Sequence, residues 1–195
     1  FKRISALFFM LYVLGDAKGK SWGFINKVYE NLRQRNLEDL VKLGEIEIKK
    51  FRDKEIRVKI KENVREQVCF FIHDSLLDPA EWFLQLVFVN NALKLASAGK
   101  IIDVLPYLFF SRQDRKDESR VSINAQAVAH VISKYANRVI TCDLHAPQIQ
   151  GFYEIPLDNL YSFPIAVEYL FKNIFKKPEL YENLIVMSPD AGGVH

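Results

Sequence analysis

Short apolar runs alternate with stretches of helical periodicity through most of this chain, and that alternation restricts its fold more than any other feature. Residues 69–72 (CFFI), 101–105 (IIDVL), 139–142 (VITC) and 184–188 (LIVMS) are brief and rich in β-branched and aromatic side chains, the composition of buried strands. Between the first two, Asp78 as N-cap, Pro79 at the first helical position and Glu81 as a capping-box acid open a helix, which Gly99 is placed to end. Another helix is predicted over residues 124–135, and Pro164 opens one that reaches about residue 175. Strands joined through helices run parallel. The expectation is therefore an α/β fold, a parallel sheet with helices on both faces.

The N-terminal third fits the same scheme. Ser21 can cap a helix that places Trp22, Ile25, Val28, Tyr29 and Leu32 on one face, with a strand before it. Ile46 and Ile48, then Ile56, Val58 and Ile60, alternate with charged residues around FRDKE, the pattern of a hairpin with an exposed tip. The opening FKRISALFFMLYVLG mimics a secretory signal. No small-residue cleavage pattern follows and the run is too short to span a bilayer, so it reads as a first core strand. Both ends, Phe1 and His195, look cut. A boundary is expected near Phe163 and Pro164, giving a first domain over residues 1–163 and the incomplete start of a second over 164–195.

Composition narrows the function classes. At 195 residues, 49% hydrophobic and 13% aromatic, the chain can bury an ordinary core. A net charge of +3 with both signs interspersed gives no basis for nucleic-acid binding, so an anionic ligand must be met locally. No membrane partner is expected. Cys69 and Cys142 lie inside apolar runs and read as buried thiols of a reducing compartment, the cytoplasm, not as a disulfide.

Three places have chemical potential, because open α/β sheets bind ligands at the carboxyl ends of their strands. In VITCDLHAPQIQGF (residues 139–152), Asp143 and His145 are two positions apart at a strand end. In extended chain they would project to one side as an oxygen and a nitrogen ligand for a divalent cation. Equally, Asp143 caps the loop and His145 satisfies a carbonyl. SPDAGG places Asp190 at another strand end, with Gly192 and Gly193 permitting close backbone approach to an anion; the same residues suit a plain surface turn. SRQDRKDESR (111–120) carries four basic and three acidic side chains. It is a solvated loop or a polyphosphate contact through Arg112 and Gln113.

Together these stretches resemble ribose-phosphate diphosphokinase, the phosphoribosyl pyrophosphate synthetase family. DLHAPQIQGFYEIPLD (143–158) is similar to that family's signature, with Tyr153 where Phe is usual. KFRDKEIRV (50–58), ALKLASAGKIIDVLPYLFFSRQDRK (92–116) and MSPDAGG (187–193) follow in the family's order. The likeness runs from about Leu43 to the end and less clearly through the first forty residues. It implies a phosphoribosyltransferase-like N-terminal domain followed by a second similar one. It also implies transfer of the diphosphoryl group of ATP to the 1-hydroxyl of ribose 5-phosphate, with Mg2+ required. Arg112, Gln113 and Asp117 would contact ATP; Asp143, His145 and Asp190 would hold metal; Asp190, Gly192 and Gly193 would receive ribose 5-phosphate. Phe51, Asp53 and Glu55 match a loop that reaches a neighbouring subunit's ATP site, which implies a homo-oligomer. Glu154 and Asp158 occupy acidic positions of the signature that fit a structural role.

The family's basic catalytic loop and its product-phosphate loop are absent from the sequence, so the expectation is a fragment without turnover of its own. A catalytically silent regulatory relative is the alternative. Arg112, Gln113, His145 and Asp190 together favour the enzyme, since a silent partner has no need of the set. A base-specific phosphoribosyltransferase would not need the RQD and DLHAPQIQG segments.

Overall fold

The computed structural model describes residues 10–175, together with Ile185 and Met187. The order is β1 (Leu11–Asp16), α1 (Trp22–Leu32), β2 (Val41–Lys50), β3 (Ile56–Ile60), β4 (Val68–Ile72), α2 (Pro79–Leu95), β5 (Lys100–Leu105), α3 (Asn124–Tyr135), β6 (Arg138–Cys142), β7 (Leu157–Leu160) and α4 (Phe163–Tyr169). The strands form one sheet in the order β3-β2-β1-β4-β5-β6-β7. Every pairing is parallel except the β2–β3 hairpin.

From β1 the winding moves through α1 to β2 on one side, and from β4 through α2, β5 and α3 to β6 on the other. With right-handed crossovers, this puts α1 on one face and α2 and α3 on the opposite face. The strand side chains divide accordingly. Val13, Val41 and Ile72 pack with Ile25 of α1, whereas Leu14, Phe71, Ile101 and Val139 join Trp82, Leu86 and Ile132 from α2 and α3. Period-two alternation with both faces buried produces the near-continuous apolar strands that the sequence displays.

The chain divides into two compact units between Leu160 and Tyr161. Among the described residues, every buried apolar side chain belongs to the first unit; in the second, Phe163, Ile165 and Tyr169 of α4 are exposed.

Several local expectations are corrected. Ser21 occupies the N-cap position of α1 but makes no capping bond. Its hydroxyl donates instead to Asp74 Oδ1 at 3.0 Å. Asp78 does cap α2, accepting from Ala80 N at 3.0 Å. Glu81 closes no capping box, because its carboxylate takes Gln85 Nε2 at 2.9 Å and Lys50 Nζ at 2.7 Å. Helix α2 ends at Leu95, short of Gly99. Ser97 takes the left-handed φ of 60°, and Ala98 N donates to Leu93 O and Ser97 N to Lys94 O, each at 3.0 Å. These two bonds make a Schellman closure with serine where glycine is usual. Gly99 is needed for space: a Cβ there would lie 2.7 Å from Glu66 O. Cys69 is buried but Cys142 is only partly so, and both are free thiols. Burial pushes the Cys69 thiol up to about 12. β7 was not foreseen, and the sheet is complete only once it pairs with β6. The expected strand over residues 184–188 lies outside the described residues.

Candidate functional site

Because six of the seven strands are parallel, their carboxyl ends share one end of the sheet. Between β5 and β6 at that end, Tyr107, Leu108, Ser111 and Arg112 meet Asp143, Leu144 and His145 around a concavity of about 170 Å³. The two loops that contribute are thirty residues apart in sequence. The strand order that makes β5 and β6 neighbours brings them together.

Each loop is internally braced. Ser111 is buried and its hydroxyl donates to Leu108 O at 2.8 Å, closing the turn before Arg112. Gln148 Nε2 donates to Asp114 Oδ2 at 2.9 Å and ties the two loops to each other. On the β6 side, the chain leaves the extended conformation at once: Asp143 has φ 48°. The premise that Asp143 and His145 share a side through strand alternation is therefore incorrect, although both line the concavity. A left-handed turn with Leu144 packed against the core gives that outcome. Aspartate tolerates this φ better than most residues. Cys142 Sγ approaches Asp143 Oδ2 at 3.7 Å, and burial followed by the Asp143 charge pushes its thiol above the ordinary range.

Other expected residues are placed differently. Gln113 does not line the concavity. Its Oε1 accepts from Asn124 Nδ2 at 2.9 Å and its backbone oxygen from Ala125 N at 3.1 Å, so it braces the first turn of α3. Asp117 is exposed farther along the same loop and does not line the concavity either. Phe51, Asp53 and Glu55 form the β2–β3 tip, closed by Phe51 N to Glu55 O at 2.8 Å and Glu55 N to Asp53 Oδ1 at 3.1 Å. The tip stands at the carboxyl end of β2, three strand spacings, roughly 14 Å, from β5. Asp190, Gly192 and Gly193 lie outside the described residues. Asp158, as its position suggested, has a structural partner in Arg138 at 2.6 Å.

The strand order reverses between β1 and β4, and the general rule for open sheets points to that crevice. A larger concavity of about 420 Å³ is found there, lined by Asp16, Lys18, Lys20, Asp74 and Glu81 among others. Its acids are already used. The Asp74 carboxylate accepts from Ser21 N, Ser21 Oγ and Leu76 N, which satisfies the start of α1 with an internal anion. At β5–β6, by contrast, no hydrogen bond or ion pair engages the side chains of Arg112 and His145. Lys18 and Lys20 of the larger crevice are likewise without a side-chain bond among the described residues, so what sets the smaller site apart is that a guanidinium, an imidazole and a carboxylate meet in it.

A cation there would have two donors from the described residues, Asp143 and His145, since no group of three or more His, Cys, Asp or Glu side chains is assembled among them. That is a partial shell. It leaves room for the water and phosphate oxygens that Mg2+ keeps, with Asp143 as the carboxylate ligand that ion prefers and the His145 nitrogen as a softer second donor.

An open, mostly parallel sheet with a basic and acidic site at its carboxyl edge defines an α/β protein built to meet an anionic ligand at its strand ends. The profile of the N-terminal domain of ribose phosphate pyrophosphokinase matches residues 20–135. Ribose-phosphate pyrophosphokinase of Haemophilus ducreyi is 42% identical over 174 residues, covering 88% of this chain and 54% of that protein. The Bacillus caldolyticus enzyme of the same name is 43% identical over 155 residues, covering 79% and 47%. The crystal structure of phosphoribosylpyrophosphate synthetase from Mycobacterium smegmatis superimposes with a TM-score of 0.74 at 26% identity, covering 86% of this chain and 54% of that one. The chain belongs to the ribose-phosphate pyrophosphokinase family, and it spans about half the length of the curated relatives it matches.

Proposed function

We propose that this chain carries the nucleotide and metal half of a ribose-phosphate diphosphokinase, an enzyme that moves the diphosphoryl group of ATP to the 1-hydroxyl of ribose 5-phosphate and releases AMP. The observation that supports it is the meeting of Arg112 with Asp143 and His145 in one concavity. Phosphoryl transfer needs positioning and neutralisation of charge more than covalent help. Arg112 supplies a planar guanidinium suited to two phosphate oxygens at once. Asp143 and His145 would hold Mg2+, which when bound neutralises phosphate charge. Gln113, braced against α3 through its oxygens, fixes the loop that presents Arg112 and keeps its Nε2 amide as a donor to ATP.

The exposed Phe51 offers a ring face at the hairpin tip, and with Asp53 and Glu55 it would serve the site of a second copy in a homo-oligomer. Residues 164–195 would begin a second, similar domain, where Asp190, Gly192 and Gly193 receive ribose 5-phosphate. A cytoplasmic location agrees with the free thiols. Among the described residues, no helix is long and apolar enough to cross a membrane.

Calorimetric titration of ATP, with and without Mg2+, into the chain tests this reading. R112A is expected to weaken ATP about 10- to 100-fold, the loss of one or two charge-assisted hydrogen bonds. H145A is expected to raise the Mg2+ requirement without abolishing metal-free binding. ATP binding that ignores both substitutions would remove the β5–β6 concavity as the nucleotide site.

A further inference from the structure

The turn that carries Asp143 and His145 is held from a neighbouring strand. Asp143 N donates to Leu160 O at 2.8 Å, the last backbone bond that β7 offers this segment. The chain then swings out through φ 48° at Asp143, which takes the next amide, Leu144 N, off the ladder. That amide donates instead to the side chain of Asn159, with Leu144 N to Oδ1 at 3.0 Å. The peptide between the two candidate ligands is thus fixed by one carboxamide oxygen. Beneath it, the Leu144 side chain packs against the core. Asn159 is itself held in register opposite Thr141, and the adjacent Asp158 is tied to Arg138 at 2.6 Å.

We infer that Asn159 is a positioning residue for the cation site: by accepting from Leu144 N it stops the turn from relaxing to an ordinary negative-φ conformation, in which Asp143 and His145 would no longer face Arg112 together. The inference rests on the reading of Asp143 and His145 as cation ligands. Left-handed φ at a residue with a side chain carries strain that surrounding bonds must hold, and Asn159 supplies one of those bonds. Asparagine is poorly suited to strands, and at this position its acceptor oxygen does what a better strand former could not.

The test compares N159A with N159D, which keeps an acceptor oxygen at the same reach. In the absence of metal and nucleotide, hydrogen exchange at the Leu144 amide is expected to quicken at least tenfold in N159A and to stay near the parent rate in N159D. The Mg2+ concentration needed for half-maximal enhancement of ATP binding is expected to rise five- to tenfold in N159A. In N159D it should lie at or below the parent value, and metal-free ATP binding should change less than twofold in both. A merely structural role would lower metal-free and metal-dependent binding alike and would not be rescued by N159D. Unchanged exchange at Leu144, or an unchanged Mg2+ requirement in N159A, overturns the inference while leaving the site reading intact. A parent chain without Mg2+-dependent ATP binding overturns the site reading and the inference with it. Should N159A not fold, N159T against N159D makes the same comparison, since threonine suits a strand but holds its hydroxyl one bond closer to its own backbone.

Discussion

Asp103 is fully buried on β5 and has a single bond, from Asn90 Nδ2 at 2.6 Å. Its Oδ1, Asn90 Oδ1 and the Tyr153 hydroxyl have no hydrogen-bond partner. Burial pushes its carboxyl up to about 7, against the opposing Asn90 bond, and burial with the Asp103 charge pushes the Tyr153 hydroxyl up as well. His73 moves the other way: burial takes its imidazole down to about 4, while Nε2 donates to Trp82 O at 2.9 Å. The signs differ accordingly. As pH rises from about 4 to 7, the unfolded Asp103 releases its proton before the folded one does, so the folded state loses stability. As pH falls from 6.5 to 4, the unfolded His73 takes up a proton that the folded state refuses, so stability is lost toward acid. D103N removes the first effect and leaves the second. Measured by urea unfolding, it is expected to gain about 2–4 kcal/mol on the parent between pH 4 and pH 8, at about 1.4 kcal/mol for each pH unit of mismatch; a constant gap would show that Asp103 is not the titrating group. None of this is legible locally. IIDVL reads as a strand with one polar intrusion, and only packing shows that the intrusion faces the core.

At the scale of elements, the boundaries that carried explicit chemical signals were legible, and those set by contacts were not. Helix α3 spans residues 124–135 as its periodicity required, and α2 starts where Asp78 and Pro79 place it. Its other end was misread because glycine has two uses, positive φ and absence of bulk, and Gly99 serves the second. The two uses are separable by substitution. S97G should stabilise the protein by about 0.5–1 kcal/mol, because it relieves a left-handed φ at a residue with a side chain. G99A should cost about 1–3 kcal/mol by crowding the Glu66 carbonyl. Thermal unfolding of the two variants checks both signs, and a destabilised S97G would mean that its side chain matters more than its φ. β7 escaped notice because LDNL is short and half polar, poor strand material by itself. It exists because β6 presents an edge and Asp158 finds Arg138. Through Asn159 and Leu160, this unforeseen strand is also what holds the equally unforeseen turn between Asp143 and His145.

At the scale of the whole molecule, the buried core among the described residues lies within the first unit, which ends at Leu160. A chain stopped after residue 160 should therefore unfold cooperatively, with a midpoint within a few degrees of the parent. One stopped after residue 156 loses β7 and exposes the β6 edge. It should melt lower and lose Mg2+-dependent ATP binding. Equal behaviour of the two truncations in differential scanning calorimetry would show that β7 contributes nothing to the sheet. The sequence by itself determined the fold class, the parallel winding, the hairpin, the family and the candidate ligands Arg112, Asp143 and His145, since periodicity, caps and motif order are written in neighbouring residues. The tertiary structure alone decided that Gln113 serves α3, that the acids of the β1–β4 crevice are already satisfied, and that β7 fixes the turn beneath Asp143. Those outcomes depend on which distant groups come within hydrogen-bonding reach, and reach is set by the packing of the whole sheet.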